Sequence, residues 1–449
     1  MNPILESNYY IPDVEARQWE DGKIYLYGSQ DVCGSDEYCS KEYCIFESAD
    51  LKHWTAHPAC FTSEGSHRED GASKALYAPD CEKIGNRYCL FFCQEDGTEG
   101  VAFSGQPYGP FGGARAIDPA DGDGIDPAVL VDDDGSIYYF WGQYHAKGGR
   151  LDPESGRVIP ESMTCDLLTE EEHGFHEGIS VRKRNGIYYL TYSDISRGRP
   201  TCLGYATSDK PLGPYKKRGI IIDNTGCDPE SWNNHGSIAE INGSWYVFYH
   251  RSTHNSRFSR QVCVEPVFFH EDGTIDEVEM TTQGIDGPLD GFELLEAFRA
   301  CSLKGKCFIE EYRDQEKYFS YVANLHNGSS MEYKYLYLKE APGAVCLEAS
   351  VLYEDVSVLV SLDRKTENTG SMAGESEQEE ASDREPEVLS EIKLSRTCGK
   401  YDFQMFRAEL SGEVPEGVYC LRLTVKGEKG MLGCLKSIRF LPKGKEASV

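Results

Sequence analysis

Residues 8–31 read NYYIPDVEARQWEDGKIYLYGSQD, and this stretch contains the pattern that decides the fold. Two short runs rich in apolar and aromatic residues are separated by the turn sequence EDGK. Asp13 precedes the first run, although burying an unpaired charge is costly and carboxylates seldom lead into buried strands. The stretch therefore indicates a β-hairpin whose entry carries an acidic side chain for a reason other than packing.

The same pattern returns four more times along the chain. Each copy has a polar or charged residue, an alternating strand, a turn that contains glycine, and a second strand rich in aromatic residues. The copies are YAPDCEKIGNRYCLFFCQ at 77–94, GIDPAVLVDDDGSIYYFWGQ at 124–143, FHEGISVRKRNGIYYLTYSD at 175–194 and NNHGSIAEINGSWYVFYHRS at 233–252. The leading residues are Asp13, Asp80, Asp126, Glu177 and His235, and the turn glycines are Gly22, Gly85, Gly135, Gly186 and Gly243.

The intervals between the copies leave room for two more strands each, as in the strand-like segments at 44–54, 101–111 and 203–215. Four strands in each of five units predict a five-bladed β-propeller. The innermost strands of a propeller start near its axis, so the five leading residues should converge at one mouth of the channel. The alternative is that these residues only end strands or cap turns.

A ring of carboxylates has a specific chemical use. Two carboxyl groups that flank a glycosidic bond suffice to hydrolyse it, one as an ionised base or nucleophile and the other as a protonated acid. A third carboxylate raises the pKa of the acid by like-charge repulsion. Asp13, Asp126 and Glu177 supply such a set.

Charge and cysteine content narrow the function further. The formal net charge of −30 argues against nucleic acid and against an anionic membrane surface as partners. The N-terminal sequence MNPILESNYY resembles no signal peptide, and no apolar stretch is long enough to cross a bilayer. The 17 cysteines are odd in number and unpatterned. They favour reduced thiols and a cytoplasmic location, with an anaerobic bacterium as the alternative.

The segments YIPDVEA, GIDPAVL, FHEGISV and NNHGSIAEINGSWYVFYHR resemble glycoside hydrolase family 43 over residues 1 to about 290. The resemblance implies a five-bladed propeller that hydrolyses glycosides with inversion and needs no organic cofactor. By motif, Asp13 matches the general base, Glu177 the general acid, and Asp126 the aspartate that tunes and orients the acid.

The same resemblance implies further site residues. Asp80 matches a recurrent axial aspartate with a structural or sugar-contacting role, and Arg260 matches an arginine that reaches the sugar in the first subsite. His235 matches the histidine near a calcium ion in the axial channel, which would be structural or would tune the acid from a distance. A hydrogen-bonded core histidine is the alternative. Apart from the resemblance, Trp19, Trp141 and Phe175 lie close to the axial motifs in sequence and are candidates for stacking on a sugar, with burial in the blade core as the alternative.

The repeats stop near residue 290, and residues 296–449 predict a second, β-sandwich domain after a propeller at 1–290. Its last strands, GVYCLRLTVKG and LKSIRFLP, loosely resemble a family 6 carbohydrate-binding module. A packing domain that braces the propeller is the alternative. The polar, acidic segment 364–390 predicts a disordered loop.

We expect an inverting exo-glycosidase that acts on plant cell-wall oligosaccharides. The family resemblance implies a β-D-xylosidase, an α-L-arabinofuranosidase or both. An exo-galactosidase and a glycoside phosphorylase are alternatives on the same scaffold. A phosphorylase would need cations such as Arg251, Arg257 or Arg260 to hold phosphate. A sugar-binding propeller without catalytic activity is the remaining alternative.

Overall fold

The computed structural model describes residues 1–65, 73–118, 124–365, 388–428 and 430–444. Strands dominate, and α1 (Glu170–His173) is the only α-helix within these ranges. No helix of the described chain is long and apolar enough to span a membrane. The all-β class predicted from the sequence is confirmed. The chain divides into two compact units, one of Pro3–Thr225 with Glu230–Met280 and one of Met1–Asn2, Gly226–Pro229 and Thr281–Val449.

The first unit contains five antiparallel sheets in chain order. The first has β1 (Glu15–Gln18), β2 (Ile24–Tyr27), β3 (Glu42–Ser48) and β4 (Trp54–Thr62), and the second has β5 (Asp80–Ile84), β6 (Arg87–Cys93), β7 (Glu99–Ser104) and β8 (Gly112–Ala116). The third has β9 (Ala128–Val131), β10 (Ile137–Trp141), β11 (His145–Asp152), β12 (Arg157–Val158) and β13 (Thr164–Thr169). The fourth has β14 (Phe175–Arg184), β15 (Ile187–Asp194), β16 (Cys202–Ser208) and β17 (Lys216–Asp223), and the fifth has β18 (Ser237–Ile241), β19 (Ser244–Thr253) and β20 (Ser256–Val267).

The predicted hairpins join the first two strands of every sheet. Gly22 lies between β1 and β2 with φ +78°, and Gly186 lies between β14 and β15 with φ +77°. These left-handed dihedrals favour glycine, since a Cβ atom would strain them. The fifth sheet has three strands rather than the predicted four. Beside it, the backbone nitrogen of Ile4 donates to the carbonyl oxygen of Val262 in β20 (3.1 Å).

The hydrophobic core of this unit lies between neighbouring sheets. Tyr27 of the first sheet shares a buried cluster with Leu90 of the second, and Phe140 of the third shares one with Leu190 of the fourth. Other clusters join the second sheet to the third and the fourth to the fifth. The ring closes where Val14 and Gly236 form a parallel bridge between the first and fifth sheets. The predicted five-bladed β-propeller is therefore confirmed.

The second unit is a β-sandwich of two six-stranded sheets. The strands are β21 (Leu289–Asp290), β22 (Leu295–Glu296), β23 (Ser302–Lys304), β24 (Phe308–Arg313), β25 (Tyr318–Leu325), β26 (Ser330–Leu338), β27 (Pro342–Val351), β28 (Val356–Arg364), β29 (Val388–Leu394), β30 (Gln404–Glu409), β31 (Gly417–Lys426) and β32 (Gly433–Pro442). One sheet runs β21-β26-β31-β28-β29 with β23 on β26, and the other runs β24-β25-β32-β27-β30 with β22 on β32.

The inner faces of the two sheets share one apolar core, to which Leu347 of β27 and Leu421 of β31 belong. The predicted disordered loop at 364–390 lies outside the described residues from 366 to 387. At its ends the prediction was wrong, because Arg364 closes β28 and Val388–Ser390 belong to β29. The alternation in VLSEIKL was missed because acidic residues dominate the preceding sequence.

Candidate active site

A cavity of about 350 Å³ opens into the propeller, and it collects most of the residues predicted from the sequence. Asp13, Asp126, Glu177, His235 and Arg260 all line it. They come from four different sheets, so the repeated motif does bring its leading residues together.

Backbone geometry at the strand entries aims two of the carboxylates. Asp13 and Asp126 each precede an innermost strand and have φ of 57° and 52°. Such left-handed dihedrals are uncommon for residues with a side chain and concentrate at functional sites. Glu177 lies inside β14, where the pairing with β15 shifts register on both sides of it. A bulge of this kind re-aims a side chain that would otherwise follow the alternation of the strand.

Positively polarised groups surround Asp13, which is 6% exposed. Its Oδ1 accepts a hydrogen bond from Nη1 of Arg260 (3.0 Å), and its Oδ2 accepts one from the Ser29 hydroxyl (2.7 Å). Burial alone would raise the pKa of Asp13, but Arg260, His235, His250 and Ser29 together lower it below its ordinary value. Asp13 is therefore an ionised carboxylate at neutral pH.

Arg260 owes its orientation to Asp31, a residue that the sequence analysis did not single out. Nε and Nη2 of Arg260 donate to the two carboxylate oxygens of Asp31, each at 2.8 Å. The backbone nitrogen of Arg260 also donates to Asp31 (3.0 Å). This bidentate pair is buried, and such pairs fix the plane of the guanidinium group. Nη1 of Arg260 is thereby held against Asp13 and the cavity.

Asp126 has the opposite electrostatic environment. Burial raises its pKa well above the ordinary value, and repulsion from Glu177 and Asp13 raises it further. The backbone nitrogen of Gly178 donates to its Oδ2 (3.1 Å) and opposes this shift only in part. Asp126 therefore retains a proton to higher pH than an ordinary aspartate, whereas Asp13 loses its proton at lower pH.

Glu177 is half-buried, and its Oε2 accepts a hydrogen bond from Nε2 of Gln143 (2.7 Å). Next to it, Gly178 has φ +73°, and a Cβ atom there would lie 2.8 Å from the Ser193 hydroxyl and 3.0 Å from the ring of His235. Glycine at 178 therefore allows the bulge to pack tightly beneath Glu177. His176, whose Nδ1 lies 2.7 Å from a carboxylate oxygen of Glu170, also lines the cavity.

His235 is buried beside Asp13, with its Nδ1 at 3.8 Å from Oδ1 of the carboxylate. Burial lowers the pKa of His235, so its ring is neutral and can offer a lone pair to a metal ion. Within the described ranges, however, His235 belongs to no group of three or more His, Cys, Asp and Glu ligand atoms. Calcium prefers six or more oxygen ligands. The donor set therefore does not form a calcium cage, and an ion beside His235 would be held mainly by water.

Asp80 does not join the ring, so its prediction as a substrate-binding residue was wrong. It is fully buried, and Nη2 of Arg17 donates to both of its carboxylate oxygens (2.7 and 2.9 Å). Its Oδ2 also accepts from the backbone nitrogen of Val129 in the third sheet (2.9 Å). Asp80 is itself the first residue of β5, whereas Asp13 and Asp126 lie two residues ahead of their strands. It therefore ties innermost strands together instead of facing the cavity.

The predicted stacking aromatics also lie elsewhere. Trp141 and Phe175 have no exposed surface and belong to the apolar cores between blades, which corrects their prediction as substrate-binding residues. Trp19 packs on Tyr88 and donates from its indole nitrogen to the Tyr27 hydroxyl (3.0 Å). All three aromatics serve packing.

Several cavity residues had no signal in the repeat pattern. Tyr38, whose pKa burial raises to about 12, accepts a hydrogen bond from the side chain of Asn233 (3.2 Å) and lies under Arg260. Trp232 lines the cavity while 38% exposed. It directly precedes the NNHG motif, and that adjacency was the one available hint. Of the arginines considered for phosphate, Arg257 lines the cavity, whereas Arg251 is buried against the Tyr249 hydroxyl (3.1 Å) and does not.

Comparison with known proteins gives independent evidence. A xylosidase/arabinosidase of Thermoclostridium stercorarium is 30% identical over 395 residues, which cover 74% of this chain and 82% of that protein. A β-xylosidase of Xylanibacter ruminicola is 29% identical and matches 60% of this chain and 97% of its own length.

Solved structures agree in fold. A β-xylosidase/α-arabinofuranosidase from a compost microbial metagenome, in complex with xylotriose and in a calcium-free form, superposes with a TM-score of 0.53 at 26% identity, covering 62% of this chain and 97% of that one. An arabinoxylan arabinofuranohydrolase of Bacillus subtilis, in complex with cellotetraose, covers 98% of this chain and 97% of its own at 21% identity and a TM-score of 0.54. This last likeness concerns the fold alone.

The sequence pattern of the glycosyl hydrolases family 43 matches residues 1–275, which is more than half of the chain. These residues form the propeller and contain the three carboxylates of the cavity. The resemblance predicted from the sequence is therefore confirmed, and the chain belongs to the glycosyl hydrolases family 43.

Proposed function

We propose that the protein is an exo-acting glycosidase that removes β-D-xylose or α-L-arabinofuranose from hemicellulose oligosaccharides, with inversion as in the rest of family 43. The observation that carries the proposal is the electrostatic contrast inside one cavity. The pKa of Asp13 is lowered, whereas the pKa of Asp126 is raised beside Glu177. One ionised and one protonated carboxyl function are what inverting hydrolysis requires.

In the proposed mechanism Asp13 is the general base. Its ionised carboxylate takes a proton from a water molecule as the water attacks the anomeric carbon. Arg260 and Ser29 hold the carboxylate in one orientation through hydrogen bonds to its two oxygens. Arg260 also presents its guanidinium group to the cavity, where it can donate to a hydroxyl group of the terminal sugar.

Glu177 is the general acid of the mechanism. It protonates the leaving glycosidic oxygen, while Asp126 lies beside it in the same cavity. Asp126 also holds the backbone of Gly178, and Gln143 holds Oε2 of Glu177, so the direction of the acid is fixed from two sides. The remaining oxygen of Glu177 is the one that carries the proton to the substrate.

Two substrates with different leaving groups test these roles. Nitrophenol leaves readily and needs little acid assistance, whereas xylobiose needs full protonation of the leaving oxygen. Glu177→Gln should lose about 1,000-fold in kcat on xylobiose and much less on nitrophenyl β-D-xyloside. Asp13→Asn should lose activity on both. Equal losses for Glu177→Gln on the two substrates would contradict the acid assignment.

The rival functions give different products. An exo-galactosidase would prefer nitrophenyl β-D-galactoside over the xyloside and the α-L-arabinofuranoside in the same assay. A phosphorylase would need inorganic phosphate and would release a sugar 1-phosphate in place of the free sugar. A binding propeller would release no sugar at all and would keep its affinity in Glu177→Gln.

Calcium beside His235 is a separate proposal, in which His235 and water hold a structural ion and no step of the reaction uses it. The calcium-free form of the metagenomic relative shows that the question arises among similar proteins. Calcium ions should then raise the melting temperature of the chelator-treated wild type but not that of His235→Ala. An equal effect on both proteins would remove His235 from the calcium site.

We also propose that the β-sandwich binds carbohydrate through one face. Tyr312 and Phe319 stack at 5.1 Å, and Tyr401, which is 47% exposed, packs on Tyr312 at 4.8 Å. Lys400 donates to a carboxylate oxygen of Glu310 (3.0 Å) beside these rings. Tyr401 thus offers an exposed ring, Tyr312 and Phe319 are half-buried beside it, and hydrogen-bonding groups border the three rings, an arrangement suited to stacking of a sugar.

A cytoplasmic location is proposed from the thiols. In the described part of the chain the 17 cysteines are thiols rather than disulfides, and most are buried, as expected for small apolar residues in a reducing compartment. Fractionation of the native host cells, with a cytoplasmic and an exported marker enzyme, tests this.

A further inference from the structure

Two arginine side chains lie beside Trp232, a residue at the rim of the cavity. Its indole is 38% exposed and lies near two guanidinium groups, with Cζ of Arg199 at 5.2 Å from the ring centroid and Cζ of Arg257 at 5.8 Å. Arg257 and Trp232 line the same cavity as Asp13, Asp126 and Glu177. Asp13 and Asp126 are more buried than Trp232, so a terminal sugar bound at these carboxylates would direct the next sugar unit toward Trp232.

Neither of these arginines is neutralised. Across the described ranges of the chain, Arg199 and Arg257 form no ion pair with a carboxylate, although Asp and Glu outnumber Lys and Arg by 75 to 45. Nη1 of Arg199 donates to the backbone carbonyl of Ser231 (3.0 Å), which places the group beside Trp232 but leaves its charge uncompensated. Exposed cation–π contacts stabilise a fold only weakly. The stability of the fold therefore does not explain why Arg199 and Arg257 both lie beside Trp232.

We propose that Trp232, Arg199 and Arg257 form a leaving-group subsite that prefers an anionic substituent. The substrate class is a xylo-oligosaccharide whose second sugar carries a uronic acid, and the inference rests on the proposed glycosidase function. The sugar ring stacks on the indole, and the carboxylate accepts hydrogen bonds from the two guanidinium groups. Inorganic phosphate offers the same chemistry, so the test includes it.

A matched pair of substrates isolates the charge. Phenyl β-D-xylosides whose leaving group carries either a meta-carboxylate or its uncharged methyl ester differ by one negative charge at the subsite. Wild type should favour the carboxylate in kcat/KM relative to the ester, and Arg257→Gln or Arg199→Gln should reduce that ratio about tenfold. The ratio should also fall between about 20 and about 300 mM salt, since screening weakens exposed charges.

Arg87→Gln is the matched control, because Arg87 is also an exposed guanidinium over an aromatic ring (Phe103, 4.5 Å) but does not line the cavity. It should leave the ratio unchanged. Trp232→Ala should weaken both substrates equally, and Trp232→Phe should restore much of the loss. A wild-type ratio that neither arginine variant alters would overturn the proposal.

Two further measurements distinguish failure of the subsite proposal from failure of the proposed glycosidase function. If wild type hydrolyses neither xyloside, the proposed function fails, and titration with the corresponding non-hydrolysable thioxylosides, followed by tryptophan fluorescence, still decides the subsite. Tighter binding of the carboxylate supports it, and equal binding overturns it. Inorganic phosphate should inhibit competitively; formation of xylose 1-phosphate would instead assign the arginines to phosphorolysis.

Discussion

Oδ2 of Asp126 accepts a hydrogen bond of 3.1 Å from the backbone nitrogen of Gly178, the residue that directly follows Glu177. One carboxylate thus acts on the proposed acid in two ways, through its charge and through the backbone that carries the acid. The bulge in β14 makes this contact possible, since it turns the Gly178 nitrogen away from β15.

Asp126→Asn separates the two effects, because the amide oxygen can still accept the hydrogen bond from Gly178 while the charge is lost. We expect about a 100-fold loss of kcat on xylobiose. The alkaline limb of the pH profile should differ from that of wild type, because Asp126, whose pKa is raised well above its ordinary value, no longer titrates in this variant. Asp126→Ala, which loses both contributions, should be the weaker enzyme; equal pH profiles for wild type and Asp126→Asn would contradict the assigned role.

Arg260 sets the acid limb of the same profile. It helps to hold the pKa of Asp13 below its ordinary value, so wild-type activity should be lost only as the pH falls through that lowered value. Arg260→Gln raises the pKa of Asp13, and the acid limb should move to higher pH. Arg260→Gln also leaves buried Asp31 without its ion-pair partner. The double variant Arg260→Gln with Asp31→Asn should therefore recover stability and keep the acid limb of the pH profile at the higher pH. An unshifted limb in the double variant would remove Arg260 from the control of Asp13.

Gln143 holds the proposed acid by a single hydrogen bond of 2.7 Å. Gln143→Leu should lower kcat on xylobiose about tenfold with little change in KM, because the amide positions Glu177 and the terminal sugar keeps its other contacts. The loss on nitrophenyl β-D-xyloside should be smaller, since nitrophenol needs little acid. Gln18→Leu, which removes an exposed amide contact to Asn242 (2.9 Å), is the control and should be silent. A rise in KM alone would make Gln143 a sugar-binding residue instead.

The aromatic face of the β-sandwich should contribute to the binding of polymeric xylan and not to the turnover of small substrates. Tyr401→Ala, and separately Tyr312→Ala, should weaken retention on insoluble xylan several-fold, because each removes a stacking surface. The turnover of nitrophenyl β-D-xyloside should stay unchanged. Tyr353→Ala, at another exposed tyrosine of the same unit, is the control. Unchanged retention in both variants would leave the sandwich as a packing domain.

The sequence predicted the fold well because the hairpin repeat is a local pattern. Alternating apolar residues and turn glycines such as Gly22 and Gly186 specify a strand, a turn and a strand without long-range information. The convergence of Asp13, Asp126 and Glu177 then followed from the propeller, whose innermost strands all start near one axis.

The rest of the site depends on facts that a local pattern does not contain. Alternation identifies a strand but not the side on which Trp141 or Phe175 is covered by the next blade, and one step along a strand reverses the face. Asp31 and Arg260 meet across 229 positions of sequence. Trp232 lies in the irregular segment between β17 and β18, where no period indicates an orientation.

Asp80 shows most clearly that the repeat pattern does not determine which way a side chain faces. Its contribution to the stability of the propeller can be measured. The repeat gives it the same place as Asp13, but its carboxylate is buried against Arg17. Asp80→Asn breaks a buried ion pair and leaves Glu82 (2.9 Å) as the remaining ion-pair partner of Arg17, so the variant should destabilise the propeller by about 3 kcal/mol and lower its melting temperature by roughly 10 °C. KM for xylobiose should stay unchanged at temperatures where the variant is folded. Glu20→Gln, which removes an exposed ion pair with Lys83 (2.8 Å), should shift the melting temperature little. A raised KM in Asp80→Asn without loss of stability would return Asp80 to the sugar-binding residues.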